Sequence, residues 1–187
     1  MQFNRVLISR TDNIGDVILT LPMAGLLKKH FPNVEIFFLG KKYTKPIVDC
    51  CIHVDHFIDV EDVLNSNEQD HILKKLKIDT IIHVFPNKKI AKIAKSIKIR
   101  NRIGTNRRFF HWIYCNKLVN LTRKNSNLHE GQLNIRLLKD FGIEINQNLN
   151  SVISLYGMNK IPDLPKELSQ YLDPKKFNLI IHPKSNG

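Results

Sequence analysis

Long apolar stretches are missing from this sequence. No run reaches the roughly 18 residues that a membrane-spanning helix needs, and Met1-Gln2-Phe3-Asn4-Arg5 leads straight into a strand without the zones of a secretion signal. Both absences predict a cytoplasmic protein. Cysteine is scarce as well: Cys50, Cys51 and Cys115 form no Cys-x-x-Cys pair and no even-numbered framework, which suits a reducing compartment. The three read as small buried apolar residues. The glycine patterns GxGxxG and GxxxxGK[ST] are absent, which argues against a dinucleotide fingerprint or a P-loop. Aromatic residues cluster only in "RRFFHWIY", which reads more easily as a packing helix than as a platform for nucleic-acid bases.

Acidic residues are the other shortage. Against 29 Lys and Arg stand 17 Asp and Glu, a net charge of +12, and the excess crowds the region from Lys74 to Arg108. A positive face of this kind fits nucleic acid, anionic lipid or a phosphorylated small molecule. A solvated helix face accounts for it too, since Lys88, Lys92 and Lys95 share one side at helical spacing while Ile90, Ala91, Ile93, Ala94 and Ile97 supply the other. His53, Asp55, His56 and Asp59 look like a ligand cluster on paper, but alternation along an extended segment splits them between faces, so no metal site is expected. His83, in an apolar strand, reads as a satisfied core histidine.

What is present is alternation. The charged fraction of 25% and apolar fraction of 42% describe a folded domain, and 187 residues suffice for one core, or one domain plus a piece of another. Apolar runs predict strands at Phe3–Ile8, Val34–Leu39, His56–Val60 and Thr80–Val84, with a shorter one around Ile103. Helical patterns fall between them, at Val17–His30, Thr44–Cys51, Val63–Lys77 and Asn87–Ser96. This order predicts an α/β fold, a Rossmann-like parallel sheet flanked by helices. Pro22 should kink the first helix or delay its regular part, and Gly142 is placed to end a helix over Leu128–Phe141 as a left-handed cap. Residues 1–142 then form the domain and 143–176, rich in Asn and Pro, a connector with one short helix near Pro165–Tyr171. "FNLIIHPKSNG" reads as a buried strand, Phe177–Ile181, and a turn, so that 177–187 would open a second, truncated domain.

The most informative stretch is "SRTDNIGDVILTLP", Ser9 to Pro22, where a strand hands over to a helix at the position in which open parallel sheets hold their ligands. A carboxylate there can take the proton of a weakly nucleophilic hydroxyl, and a helix N-terminus keeps it ionised by about 0.3 to 1 kcal/mol. A first-turn acid without chemistry is the plain alternative for Asp16. Gly15 would let a substrate approach the backbone, and Thr11 and Asn13 would hydrogen-bond sugar hydroxyls or phosphate, although turn formation alone also explains these three.

"RVLISRTDNIGDVILTLP" resembles the N-terminal signature of glycosyltransferase family 9, the heptosyltransferases of lipopolysaccharide core assembly. "HEGQLNIRLLKDFGI" is similar to a helix that opens with His and Glu in that family, and "IIHPKSNG" to the start of its second domain. The resemblance implies the N-terminal half of a GT-B fold, two Rossmann-like domains facing across a cleft. It implies inverting, metal-independent transfer of a heptose from an ADP-activated nucleotide sugar, a co-substrate rather than a cofactor, to the lipid A-core acceptor. The setting would be the cytoplasmic face of the inner membrane, with the protein peripheral on that anionic surface. Asp16 falls on the family's catalytic aspartate and would be the general base; inversion needs one in-line attack and no second nucleophilic carboxylate. Lys184 and Ser185 fall where relatives bind the donor diphosphate, but the helix and the Lys-x-Trp-Pro segment that follow in the family are absent from this sequence, so the chain alone should be inactive and bind donor weakly. Lys88, Lys89, Arg107 and Arg108 would meet acceptor phosphates and acidic sugars. Asp12-Asn13 stands where the family more often carries two small hydroxyl residues. The competing reading is a stand-alone basic module that binds anionic lipid or nucleic acid without catalysis; nucleic acid is the less expected of these partners, given the single aromatic cluster.

Overall fold

The computed structural model describes residues 3–67, 71–122, 126–173, 175–179 and 181. The chain opens with strand β1, Arg5–Ser9, and helices α1, Ile14–Ile18, and α2, Pro22–His30. Strand β2, Glu35–Gly40, is followed by a 3-10 turn, Lys42–Thr44, and α3, Lys45–Asp49. Next come β3, His56–Asp59, α4, Val60–Asn65, α5, Ile72–Lys75, and β4, Thr80–His83. Then follow α6, Lys88–Ser96, β5, Asn101–Thr105, α7, Phe109–Tyr114, and β6, Lys117–Val119. Helix α8, Glu130–Ile135, runs into a 3-10 segment, Arg136–Phe141, and α9, Leu149–Ile153, and α10, Lys166–Ser169, complete the order.

The six strands form one parallel sheet in the order β3-β2-β1-β4-β5-β6. Parallel strands buried on both faces need apolar side chains throughout, and β1 supplies them: Val6 and Ile8 point into one core with Ile36, Phe38, Ile82 and Ile103, while Leu7 points into the other with Phe37, Leu39 and Ile81. Helices α2, α3, α8 and α9 cover the first face, and α4, α5 and α6 the second. Each fully buried Leu, Ile or Phe of this kind stabilises the fold by roughly 1.5–3 kcal/mol. The strand order reverses between β1 and β4, which leaves a crevice at their C-terminal ends.

Pro22 does interrupt the first helical pattern. The chain turns at Leu19–Leu21 and Pro22 takes the first position of α2, where its missing N–H costs nothing. Gly142, with φ +74°, caps the 3-10 segment in the left-handed region as expected. Other expectations need correction. The pattern at Val63–Lys77 is two short helices rather than one, because Ser66 leaves α4 in an extended conformation and the His71 ring begins α5 by accepting from the Leu73 N–H. The expected connector also belongs in part to the packed body. Val152 and Leu155 are buried in the first core and Ile52 N–H donates to Gly157 O at 2.7 Å, so packing runs to at least Met158, which bridges to Cys51. The short helix near Pro165–Tyr171 is present as α10. Of the buried strand expected at Phe177–Ile181, Ile180 lies outside the described residues, and the described Phe177, Leu179 and Ile181 are exposed and belong to no strand. Lys184 and Ser185 lie outside the described residues. Among the described residues no helix is long and apolar enough to cross a membrane.

Candidate active site

At the end of β1 the backbone carries Arg10 into the crevice, and its side chain is almost wholly buried, 6% exposed. A buried cation needs anionic partners. Arg10 Nε donates to Asp12 Oδ1 at 2.7 Å, one terminal nitrogen donates to Asp16 Oδ1 at 2.6 Å, and the other lies 3.5 Å from Glu130 Oε1. Glu130 arrives from the first turn of α8, whose start is fixed by the His129 ring accepting from Gly131 N–H at 3.2 Å and by Gln132 Oε1 accepting from His129 N–H at 2.9 Å. The "HEGQ" stretch therefore serves this site.

Asp16 sits at the third position of α1, behind Asn13 as N-cap, and keeps 37% of its side chain exposed while Arg10 holds one oxygen. Its own carbonyl accepts from the Thr20 hydroxyl at 2.8 Å, and Asn134 Nδ2 donates to Leu19 O at 3.0 Å, so the break before Pro22 is tied to α8. The result is a carboxylate with one oxygen engaged, at the ligand end of the sheet. Burial raises the Asp12 carboxyl above its ordinary range; the Arg10 charge opposes this, and the negative charge of Asp16 adds to it.

A cleft of about 520 Å³ opens beside Arg10 and Asp12, lined by Phe85 and Pro86 after β4 and by Thr105, Arg107 and Arg108 at the end of β5. Three arginines thus line one cavity. His83, which precedes the cleft residue Val84 on β4, is fully buried, and among the described residues neither of its ring nitrogens has a hydrogen-bond partner, which corrects the expectation of a satisfied histidine. Its ring packs 5.6 Å from that of His111, and burial first, then His111 and Arg102, push its pKa down to about 3, so the imidazole is neutral. Ser9 pairs in register with His83, and its hydroxyl is also buried without a hydrogen-bond partner among the described residues.

The expected residues distribute as follows. Arg107 and Arg108 meet in the cleft with Arg10, which links it to Asp16. Lys88 and Lys89 do not line it: they begin α6, held by Asn87 Oδ1 accepting from the Lys89 and Ile90 N–H groups, and Lys89 faces a separate groove with Glu61 and Lys92. Thr11 is buried, only 6% exposed. Asn13 is exposed and makes no side-chain cap bond to α1. Gly15 is exposed, and a Cβ there would meet nothing within 4 Å, so packing within the chain does not require glycine. Of the paper ligand cluster, Asp55 accepts from Ile36 N–H and pairs with Lys28, both at 2.7 Å, His56 pairs with Glu35, and Asp59 caps α4.

Sequence reasoning passed over Arg10 and Glu130. The available signal was a lone basic residue directly after an apolar strand with acids two and six positions on, a spacing that lets one guanidinium hold both.

No protein-family profile matches the chain. A curated Haemophilus influenzae protein named "Putative glycosyltransferase" is 24% identical over 140 residues, 73% of this chain and 40% of that protein. Among solved structures, the glycosyl transferase family 9 protein of Veillonella parvula superposes with a TM-score of 0.65 at 23% identity, over 79% of this chain and 44% of its own. E. coli heptosyltransferase WaaC gives 0.58 with ADP and 0.60 with ADP-2-deoxy-2-fluoro heptose, both at 18% identity, over 77% and 81% of this chain and 49% and 53% of WaaC. E. coli ADP-heptose lps heptosyltransferase II gives 0.60 at 19% identity, over 75% of this chain and 41% of its own. The matches therefore span between 40% and 53% of the relatives' lengths. In fold, this chain is a heptosyltransferase-like α/β domain, similar to the family 9 glycosyltransferases across most of its described length.

Proposed function

We propose that the chain is the acceptor-side, N-terminal part of an inverting glycosyltransferase that moves a heptose from an ADP-activated donor to the lipopolysaccharide inner core. The observation that carries this reading is the Asp16 carboxylate: one oxygen held by Arg10 at 2.6 Å, over a third of the side chain exposed, at the crevice where the sheet order reverses. The likeness to structures that hold ADP and an ADP-heptose analogue supports a nucleotide-sugar donor.

In the reaction, an acceptor hydroxyl attacks the anomeric carbon from the face opposite the leaving diphosphate. The new oxygen–carbon bond forms as the carbon–phosphate-oxygen bond breaks, ADP departs with the electron pair, and the hydroxyl proton passes to Asp16. Arg10 acts as a positioning residue, since it fixes the rotamer of Asp16 without touching the reacting atoms. Arg107 and Arg108 offer forked donors suited to the phosphates and carboxylates of an acidic acceptor. Lys184 and Ser185 remain candidates for the donor diphosphate, and the protein would work at the cytoplasmic face of the inner membrane.

The test is product stereochemistry. Incubated with ADP-heptose and a lipid-linked inner-core acceptor, the natural protein that carries this sequence should release ADP only when acceptor is present and give the inverted anomer. A retained anomer would contradict the single-carboxylate mechanism, and no ADP release with any acidic glycolipid acceptor would overturn the reading.

A further inference from the structure

Two observations away from Asp16 converge on the face built by α6 and α7. The first is charge. None of the 17 Asp and Glu residues lies between positions 80 and 129, while 12 of the 29 Lys and Arg do, so the rest of the chain carries 17 of each sign. The whole net charge of +12 therefore belongs to this one segment. Lys88, Lys89, Lys92, Lys95 and Lys98 on and after α6, and Arg107 and Arg108 before α7, are all exposed.

The second observation is apolar. On α7, Phe109 is 81% exposed, Trp112 62% and Ile113 44%, at the i, i+3 and i+4 positions that share one side of a helix, while His111 faces inward and is buried. The expected packing helix thus turns its largest apolar residues outward. Scattered exposed apolar residues are ordinary, but a contiguous aromatic group rimmed by cations marks an interaction site. The two helices form one rigid face: the Lys95 ammonium donates to Ile113 O at 2.9 Å and lies 5.9 Å from the centre of the Tyr114 ring, and the Trp112 indole N–H donates to Asn106 O at 2.9 Å.

We propose that this face docks the protein on an anionic lipid bilayer, with Phe109, Trp112 and Ile113 entering the boundary between headgroups and acyl chains and the Lys side chains on and after α6 meeting lipid phosphates. Tryptophan favours that boundary because its ring is apolar and its N–H polar, and basic side chains add affinity at a negative surface. A nucleic-acid strand suits the face less well. Ile113 has no π-face for a base, and the rings project from a helix instead of lining a groove that tracks a phosphate backbone. The proposal rests on the reading that the protein works at a membrane surface and names the face that meets it, and it does not depend on Asp16.

Trp112 is the only tryptophan in the chain, so its emission reports directly on the face. Titrated with phosphatidylcholine vesicles containing phosphatidylglycerol at low salt, the protein should show a blue-shifted emission that brominated acyl chains quench and high salt reverses. Pure phosphatidylcholine should give a much smaller shift. In vesicle co-sedimentation, the Phe109→Ser/Trp112→Ser variant should partition about tenfold more weakly and Lys92→Gln about fivefold more weakly, with unchanged circular dichroism. The proposal is overturned by an absent shift with anionic vesicles or by undiminished partitioning of the double variant. It is likewise overturned if a single-stranded oligonucleotide shifts Trp112 at lower phosphate concentration than lipid does, or if the shift follows protein concentration without lipid, which would make the face a contact between copies. None of these variants alters Arg10, Asp12 or Asp16, so vesicle binding and sugar transfer can fail separately.

Discussion

Arg10 is the side chain on which the geometry of the Asp16 carboxylate depends. Its buried guanidinium is the shared cation of Asp12 and Asp16, and truncation would leave two adjacent carboxylates without it. Because Asp16 is over a third exposed, the expected loss for Arg10→Ala is near the lower end of the range for broken buried pairs, about 3 kcal/mol in urea denaturation at pH 7. Arg10→Lys keeps the charge but cannot reach both acids with a planar fork, so it should fall between the wild type and Arg10→Ala. Equal stability of all three would contradict the geometry. His83 makes a pH prediction. In the fold it stays neutral down to about pH 3, whereas an unfolded imidazole gains its proton near 6.5. Between those values the unfolded state binds more protons, so stability falls as pH drops through the window and is fully present above it. The loss from this group should be about 2 kcal/mol at pH 5 relative to pH 7.5, and His111, also lowered by burial, acts in the same direction. Denaturation across pH 5–7.5 should show a shallower slope for His83→Gln; an unchanged slope would place the titration elsewhere.

Among the elements, α9 is the least anticipated. The Asn-rich run before it reads as linker, yet Val152 and Leu155 close the first core, and a Cβ on Gly25 of α2 would lie 2.1 Å from Leu155 O. Backbone cannot yield as a side-chain tip can. Gly25→Ala should therefore destabilise the protein by roughly 2–3 kcal/mol and increase proteolysis after residue 142, checked by urea denaturation and limited proteolysis. The sheet was easier to read, because β1 and β2 centre on runs of three and four apolar residues and β4 on Ile81-Ile82, short unbroken stretches typical of strands buried on both faces. Strand β6 escaped notice since three residues, two of them half-buried, offer no period. Pattern also merged α4 with α5, as periodicity counts apolar positions and misses an extended Ser66 between them. At the site, Asp16, Arg107 and Arg108 were expected from their positions after strands; the structure sets Arg107 and Arg108 in one cleft with Arg10, which pairs with Asp16. Lys88 and Lys89 were expected beside them, but the capped start of α6 leads them away from this cleft, a direction that spacing alone does not encode.

For the whole molecule, charge and topology divide the work. The strand-order reversal between β1 and β4 creates the crevice, Asp12 lines it beside Arg10, which ties in Asp16 and Glu130 behind it, and Arg107 and Arg108 add positive charge to the lining. Such a cleft suits a hydroxyl-bearing acceptor that also carries anionic groups: the acids meet the hydroxyl and the arginines the charge. The exposed α6–α7 face then presents the same segment's surplus charge to a surface. The central claim is the role of Asp16, and the most direct measurement is turnover by the natural protein with Asp16 replaced by Asn, with ADP-heptose and acceptor both saturating. Asparagine keeps the shape and can still accept from Arg10, but it cannot take a proton. The account predicts a kcat lowered by about 10²- to 10⁴-fold with KM nearly unchanged and the fold intact. Turnover within a few-fold of the wild type would contradict it.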